Sequence, residues 1–262
     1  MGNLFFNRYI FLPPSPRTVE EHTALVEGYT PRPSFYTVPM QNTCSSMTLI
    51  PSAIFVAELK PQKLRPGAAP IIWSYGNGCD MYSMITTAHR IAFYLQTAVY
   101  LYDWPGYGQT AGHPTEAGCI SALQAVIHNV LIRNKLVSIE QIILVGQSLG
   151  AAVTIGAIAA NNIIPKQVVL ISPFTSVPDI ATSNEIIKWG YSAIGGDTFA
   201  THEKIGTVRS QIKIYHGKLD STIPYKHAVE LQKLNPKVRL VLVPYANHNN
   251  ILSKIDLSEL LD

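Results

Sequence analysis

A serine between glycines, an aspartate and a histidine follow one another along this chain, the residue types that acyl transfer requires. Gly146-Gln147-Ser148-Leu149-Gly150 is a G-x-S-x-G motif lying between a β-branched run, Ile142 to Val145, and an alanine-rich stretch, Ser148 to Asn161. Strand, sharp turn and helix is the context in which this motif forms a nucleophile elbow, with the serine exposed at a helix N-terminus. A serine hydroxyl is a weak nucleophile at neutral pH, so it needs a histidine base and a carboxylate that orients the base. Asp220 follows the apolar run Ile212 to Tyr215 through His216-Gly217-Lys218-Leu219, and His248 follows Val238 to Val243 through Pro244-Tyr245-Ala246-Asn247. Both lie in loops at the carboxyl ends of expected strands, on the rim that carries Ser148. Among the other histidines, His216 reads as packing at a strand end. His22, His89, His113, His128, His202 and His227 fall in the leader, helices or loops, where surface or core roles are expected.

The tetrahedral intermediate of acyl transfer also needs N–H donors for its oxyanion. The backbone amide of Leu149, just after the serine, supplies one. The second is expected from Ser74-Tyr75-Gly76-Asn77-Gly78, after the run Ile71 to Trp73, with Asn77 as first choice and Gly78 as the alternative. As a bare G-x-G, this segment fits a structural turn equally well.

The elements that must hold these residues alternate along the chain. Strands are expected at Ile71 to Trp73, Ala98 to Tyr102, Ile142 to Val145, Val168 to Ile171, Ile212 to Tyr215 and Val238 to Val243. Helices are expected at about Met81 to Gln96, Thr115 to Lys135, Ser148 to Asn161, Tyr225 to Lys233 and from about Asn249. This β-α alternation predicts an α/β fold with a mainly parallel sheet covered by helices on both faces, and ligand binding beyond the carboxyl ends of its strands. Met47 to Leu59 is expected to add one or two strands, antiparallel at an edge. The uncharged stretch Gln141 to Pro165 is long enough to resemble a membrane span, but it reads as strand, turn and buried helix.

Composition narrows the function classes. Hydrophobic residues make up 47% and charged residues 14% of 262, so the chain can bury a large core and lacks the charge of disordered chains. A net charge of +3 is too small to indicate a nucleic-acid partner. Cys44, Cys79 and Cys119 lack the spacing of a disulfide framework or a zinc site, so no metal or cofactor and a reducing, cytoplasmic setting are expected. Residues 1–45, rich in proline from Pro13 to Pro39, read as an extended leader on or near a catalytic domain at 46–262, with a short insertion at about 174–209. Asn7, Arg8 and Pro13-Pro14 interrupt the apolar N-terminal run, so it lacks the core of a signal peptide. The myristoylation pattern after Gly2 has Phe6 where Ser or Thr is required. Leu4, Phe5, Phe6, Tyr9, Ile10, Phe11 and Leu12 leave two alternatives open, packing over the host domain or transient contact with a membrane surface.

At these residues the chain resembles the α/β-hydrolases, and more narrowly the eukaryotic α/β-hydrolase-domain proteins that include palmitoyl-protein thioesterases. The resemblance rests on Phe11-Leu12-Pro13-Pro14, Gly76-Asn77-Gly78-Cys79-Asp80, Tyr102-Asp103-Trp104-Pro105-Gly106-Tyr107-Gly108, Gly146 to Gly150, Ser172 to Ser176, His216-Gly217 with Asp220, and Asn247-His248-Asn249. It implies a triad of Ser148, Asp220 and His248 and an α/β-hydrolase fold. Three positions depart from the pattern. Tyr75 stands where the family usually has histidine, Asn247 stands where a glycine usually precedes the catalytic histidine, and no cysteine precedes Cys44 where the thioesterases carry a palmitoylated cluster. Asparagine, like glycine, tolerates left-handed backbone geometry.

Together these observations predict a serine hydrolase acting on a carboxylic ester or thioester, with an acylated protein among the substrates that the resemblance implies. Two alternatives are an aminopeptidase-like amidase, for which the insertion leaves little room for a helical lid, and a non-catalytic binding protein that retains the fold.

Overall fold

The computed structural model describes residues 10–15, 17, 19–40, 53–181 and 198–261. Its centre is an eight-stranded sheet, built from β1 (Ser34–Pro39), β2 (Ala53–Leu59), β3 (Ile71–Ser74), β4 (Val99–Tyr102), β5 (Ile143–Gln147), β6 (Gln167–Ile171), β7 (Ile212–Gly217) and β8 (Val238–Val243). The spatial order is β1-β2-β4-β3-β5-β6-β7-β8. From β4 to β8 the neighbours run parallel, while β2 is antiparallel to both β1 and β4. The helices are α1 (Val19–Val26), α2 (Met81–Leu95), α3 (Glu116–Arg133), α4 (Leu149–Asn161), α5 (Val177–Ala181), α6 (Thr201–Lys204), α7 (Lys226–Leu234) and α8 (Ile251–Lys254).

Local sequence accounts for these elements. Every residue of β3 and β4 is buried, as expected of short strands covered on both faces by crossover helices. The apolar run from Gln141 divides into β5 and α4, and Leu149 to Ile158 are all buried, so its hydropathy is that of a core helix. Among the described residues no helix is long and apolar enough to cross a membrane. Because β3 pairs with β4 on one side and β5 on the other, the chain reverses its winding direction there, and a crevice opens at the carboxyl ends of β3 and β5.

Two expectations change in the N-terminal part. The region read as a surface leader carries α1 and the edge strand β1, whose six residues pair antiparallel with Ala53 to Glu58 of β2. The sheet therefore extends across the expected boundary at residue 45. The proline spacing concealed this strand, because Pro39 lies at its last position and Pro31 and Pro33 precede its start, where proline is tolerated. β2 is accordingly not the edge but second from it; the earlier part of the expected strand, 47–52, lies outside the described residues, as does 182–197 of the insertion. The final helix expected from Asn249 is reduced to the four residues of α8.

The leader is also held at α2. Asp80 caps that helix by accepting from the Ser83 amide at 2.7 Å, and the Ser83 hydroxyl accepts from the Asp80 amide at 3.0 Å. Arg17 Nη1 donates to both Asp80 oxygens, at 2.7 and 2.8 Å. Asp80→Ala removes the cap and the ion pair together. The expected cost is about 1–3 kcal/mol, read as a lower urea midpoint with an unchanged denaturant slope.

Candidate active site

Ser148 occupies the turn between β5 and α4 with φ 52° and ψ −120°, a backbone region that a non-glycine residue enters only when its surroundings enforce it. Those surroundings are visible. The Ser148 amide donates to the Ile171 carbonyl at 2.8 Å, which ties the turn to β6. The glycines allow α4 to pack against the sheet: a Cβ on Gly146 would lie 2.6 Å from Ala151 Cα, and one on Gly150 would lie 2.1 Å from the Ser74 oxygen. Neither neighbour can move, because both are backbone. The serine is thus left almost buried at the N-terminus of α4, with 8% of its surface exposed.

Asp220 follows β7 and His248 follows β8, and their loops are joined. Lys218 and Leu219 amides donate to the Val243 and Ala246 carbonyls at 3.1 and 2.9 Å. Asp220 Oδ1 accepts from the Thr222 and Ile223 amides at 3.0 and 2.8 Å, which orients Oδ2 toward His248 Nδ1 at 2.8 Å. Across the ring, His248 Nε2 lies 3.2 Å from Ser148 Oγ. Burial pushes the Asp220 carboxyl upward, but the contacts from His216, His248 and the Ile223 amide outweigh it and hold the group well below the usual carboxylate range. The carboxylate therefore stays ionised beside the imidazole.

The three residues selected from the sequence are brought together, and the structure adds others. His216, read as packing, is fully buried with Nε2 3.5 Å from Asp220 Oδ2, while the same nitrogen donates to the Ile223 carbonyl at 2.8 Å. That bond places the proton on Nε2. The only sequence signal was its position four residues before Asp220. Asn247, which tolerates a left-handed backbone, does not adopt one; Tyr245 does, with φ 58°. Asn247 instead works through its side chain, whose Oδ1 accepts from the Asn249 and Asn250 amides at 3.1 and 3.0 Å and so braces the loop around His248.

The expected oxyanion loop is held by buried side chains. Asn77 Oδ1 accepts from the Leu12 amide at 2.9 Å and the Tyr107 hydroxyl at 2.7 Å, and its Nδ2 donates to the Ile10 carbonyl at 2.5 Å. Among the described residues the Asn77 and Leu149 backbone amides have no hydrogen-bond partner, and both residues line the cavity that Ser148 and His248 line. Tyr75, which replaces the histidine of the resembling family, donates to Asp103 Oδ1 at 2.7 Å and stacks on Trp104. Asp103 also accepts from the Met81 and Gln109 amides at 2.8 and 2.9 Å. Burial pushes its carboxyl up to about 6 against the lowering effect of these donors. The sequence contained both residues, but their partnership spans 28 positions.

Two cavities meet at Ser148, Asn77 and His248. One, of about 610 Å³, is largely apolar, with walls from Ile10, Leu12, Leu149, Phe174, Val177 and Ile180. The other, of about 380 Å³, is mixed, with Thr86, Thr87, Arg90, Gln147, Asn249 and Ser253 beside Cys79, Met84 and Leu252. Ile10 and Leu12 show that this part of the leader packs over the domain; residues 1–9 lie outside the described residues. Among the described residues no group of three or more His, Cys, Asp or Glu is placed to hold a metal ion.

Gly150→Ala is expected to cost about 3 kcal/mol or more, because its methyl group meets immovable carbonyls; thermal unfolding measures the loss. Asp103 supplies a pH test. Its carboxyl binds a proton more tightly in the native state than in the unfolded chain, so its contribution to stability falls as pH rises from about 4 to about 6. In Asp103→Asn, unfolding free energies measured across that window should lose this downward component, up to about 1.4 kcal/mol per pH unit.

The sequence profile of the Alpha/beta hydrolase family matches residues 67–204. A putative alpha/beta hydrolase of Acanthamoeba polyphaga mimivirus is 29% identical over 208 residues, covering 78% of this chain and 76% of that protein. The alpha/beta hydrolase domain-containing protein aho-3 of Caenorhabditis elegans is 27% identical over 254 residues, with 94% and 73% covered. Alpha/beta hydrolase domain-containing protein 17C of Xenopus tropicalis is 29% identical over 69% of this chain, which spans only 56% of that relative. The fold is similar to that of 2,6-dihydroxy-pseudo-oxynicotine hydrolase, with TM-score 0.67 at 16% identity, covering 93% and 72% of the two chains. It is also similar to the esterase domain of a Rhodothermus marinus protein, with TM-score 0.58 at 16% identity and 87% and 93% covered. With the profile spanning more than half of the sequence, on a mainly parallel sheet that bears a G-x-S-x-G elbow, the chain belongs to the alpha/beta hydrolase family.

Proposed function

We propose that this hydrolase cleaves a carboxylic ester or thioester through an acyl-Ser148 intermediate. The observation that carries the reading is the unbroken run of contacts from Asp220 Oδ2 to His248 Nδ1 at 2.8 Å and from His248 Nε2 to Ser148 Oγ at 3.2 Å. His248 accepts the serine proton as Oγ attacks the acyl carbon, and delivers it to the departing oxygen or sulfur. It then takes a proton from water, which attacks the acyl-serine and releases the acid. Asp220 fixes the imidazole with its proton on Nδ1 and stabilises the cation that forms on the ring. The Asn77 and Leu149 amides bind the oxyanion, a role supported by their open donors on the same cavity.

The apolar cavity supports an acyl group as the part of the substrate held beside Leu149. Its Ile10, Leu12, Val177 and Ile180 walls suit a hydrocarbon chain, which connects the reading to the thioesterases that the sequence resembles. An acylated protein is then a substrate class for this enzyme, with transient membrane contact and a cytoplasmic setting as corollaries of that class.

The decisive experiment is intact-mass analysis after exposure to a fluorophosphonate, comparing the native chain with Ser148→Ala. Stoichiometric labelling that is abolished in the variant is expected, and a folded native chain that remains unlabelled would overturn the mechanism. Asp220→Asn should lower kcat by roughly 10³–10⁴-fold on an acyl ester without unfolding the protein, since it leaves His248 without its anionic partner.

A further inference from the structure

The site divides into an apolar cavity and a second one of mixed, more polar lining, and the second bears on the half of the substrate that leaves. Ser148 and His248 line both cavities, so a substrate whose acyl chain fills the apolar one directs the other side of its scissile bond into the second. Among the described residues that line this second cavity, Arg90 has the only permanently charged side chain, and no carboxylate faces it. Its Nη2 donates to the Leu252 carbonyl at 3.0 Å, which anchors the guanidinium to α8 at the cavity wall and leaves its other N–H groups for a ligand.

Resting on the serine-hydrolase reading, we infer that this second cavity is a leaving-group site for an alcohol or thiol that bears a carboxylate, with Arg90 as the residue that recognises it. A planar guanidinium matches a carboxylate, and a single cation balances one negative charge, where a phosphate monoester near its second ionisation would ask for more. The step balances as simple acyl transfer. Ser148 Oγ forms a bond to the acyl carbon, the carbon–sulfur or carbon–oxygen bond breaks, and the serine proton passes through His248 to the departing atom. The leaving group departs as a neutral thiol or hydroxyl with its carboxylate still paired to Arg90.

The test uses S-octanoyl 3-mercaptopropionate and S-octanoyl 3-mercaptopropionamide, which differ only in the charge of the leaving group, together with the octanoyl oxygen esters of glycolate and glycolamide. Each is assayed with the native chain, Arg90→Gln and Arg90→Lys. Arg90 is exposed on α2, so these variants keep the core, and thermal melting checks it. Arg90→Gln should lower kcat/KM for the anionic members about 5–20-fold and for the neutral members less than twofold, a size suited to a solvent-exposed ion pair. Arg90→Lys should restore part of the loss, and the native preference should shrink in high salt. Equal effects on both members, or no effect on either, with Ser148 still labelled by fluorophosphonate would overturn this inference and leave the hydrolase reading standing. Absence of both labelling and turnover would overturn the two together, and labelling without turnover of any member would overturn the leaving-group site alone.

Discussion

The close approach of α4 to the end of β3 is the constraint on which the site depends. Gly150 lies so near the Ser74 and Tyr75 carbonyls that no side chain fits between them. This proximity sets the distance between the helix that begins at Leu149 and the loop that begins at Tyr75, and so brings two backbone amides from different parts of the chain to one cavity. The same packing holds Ser148 at a positive φ, a cost of order 1–3 kcal/mol that surrounding strands and the buried α4 offset. A more relaxed turn would turn the hydroxyl away from His248 or draw the Leu149 amide into ordinary helix pairing.

Electrostatics then divides the labour among buried carboxylates. Asp220 receives two backbone amides and two imidazoles, and these contacts keep it ionised despite burial. Asp103 is buried more deeply and its donors are fewer, so its carboxyl is displaced the other way. The first group faces the reacting serine through His248. The second holds the Tyr75 side chain, the start of α2 and the loop at Gln109 on one anchor. Tyr75 can therefore replace a histidine in the family pattern and still brace the loop, since the phenol needs only an acceptor within reach and Asp103 provides it.

The N-terminal segment belongs to the site as much as to the surface. Leu12 and Ile10 bond to the Asn77 side chain, Phe11 packs edge-on against Tyr107 and Phe199, and Arg17 closes on the α2 cap. Together with β1 these contacts make the described residues between Ile10 and Pro39 a structural part of the hydrolase domain. The apolar cavity owes one wall to this segment, so its shape depends on residues far from the elbow in sequence.

The sequence by itself determined the strand–helix alternation, the elbow and the rim on which Ser148, Asp220 and His248 lie. Each is a local pattern: a β-branched run long enough for one strand, glycines where a side chain would collide, a polar loop after an apolar run. What required the tertiary structure was every feature made by partners distant along the chain. β1 is hidden in a proline-rich stretch because its prolines lie at the ends, where they do not interfere with pairing, and only β2 reveals that pairing. The left-handed residue of the loop before His248 is Tyr245, and Asn247 acts as a side-chain brace, neither of which local sequence reveals. His216 against Asp220, Tyr75 on Asp103, and the differing linings of the two cavities arise where strands meet side by side. Sequence separation hides such contacts, because hydrogen bonding and burial act through space.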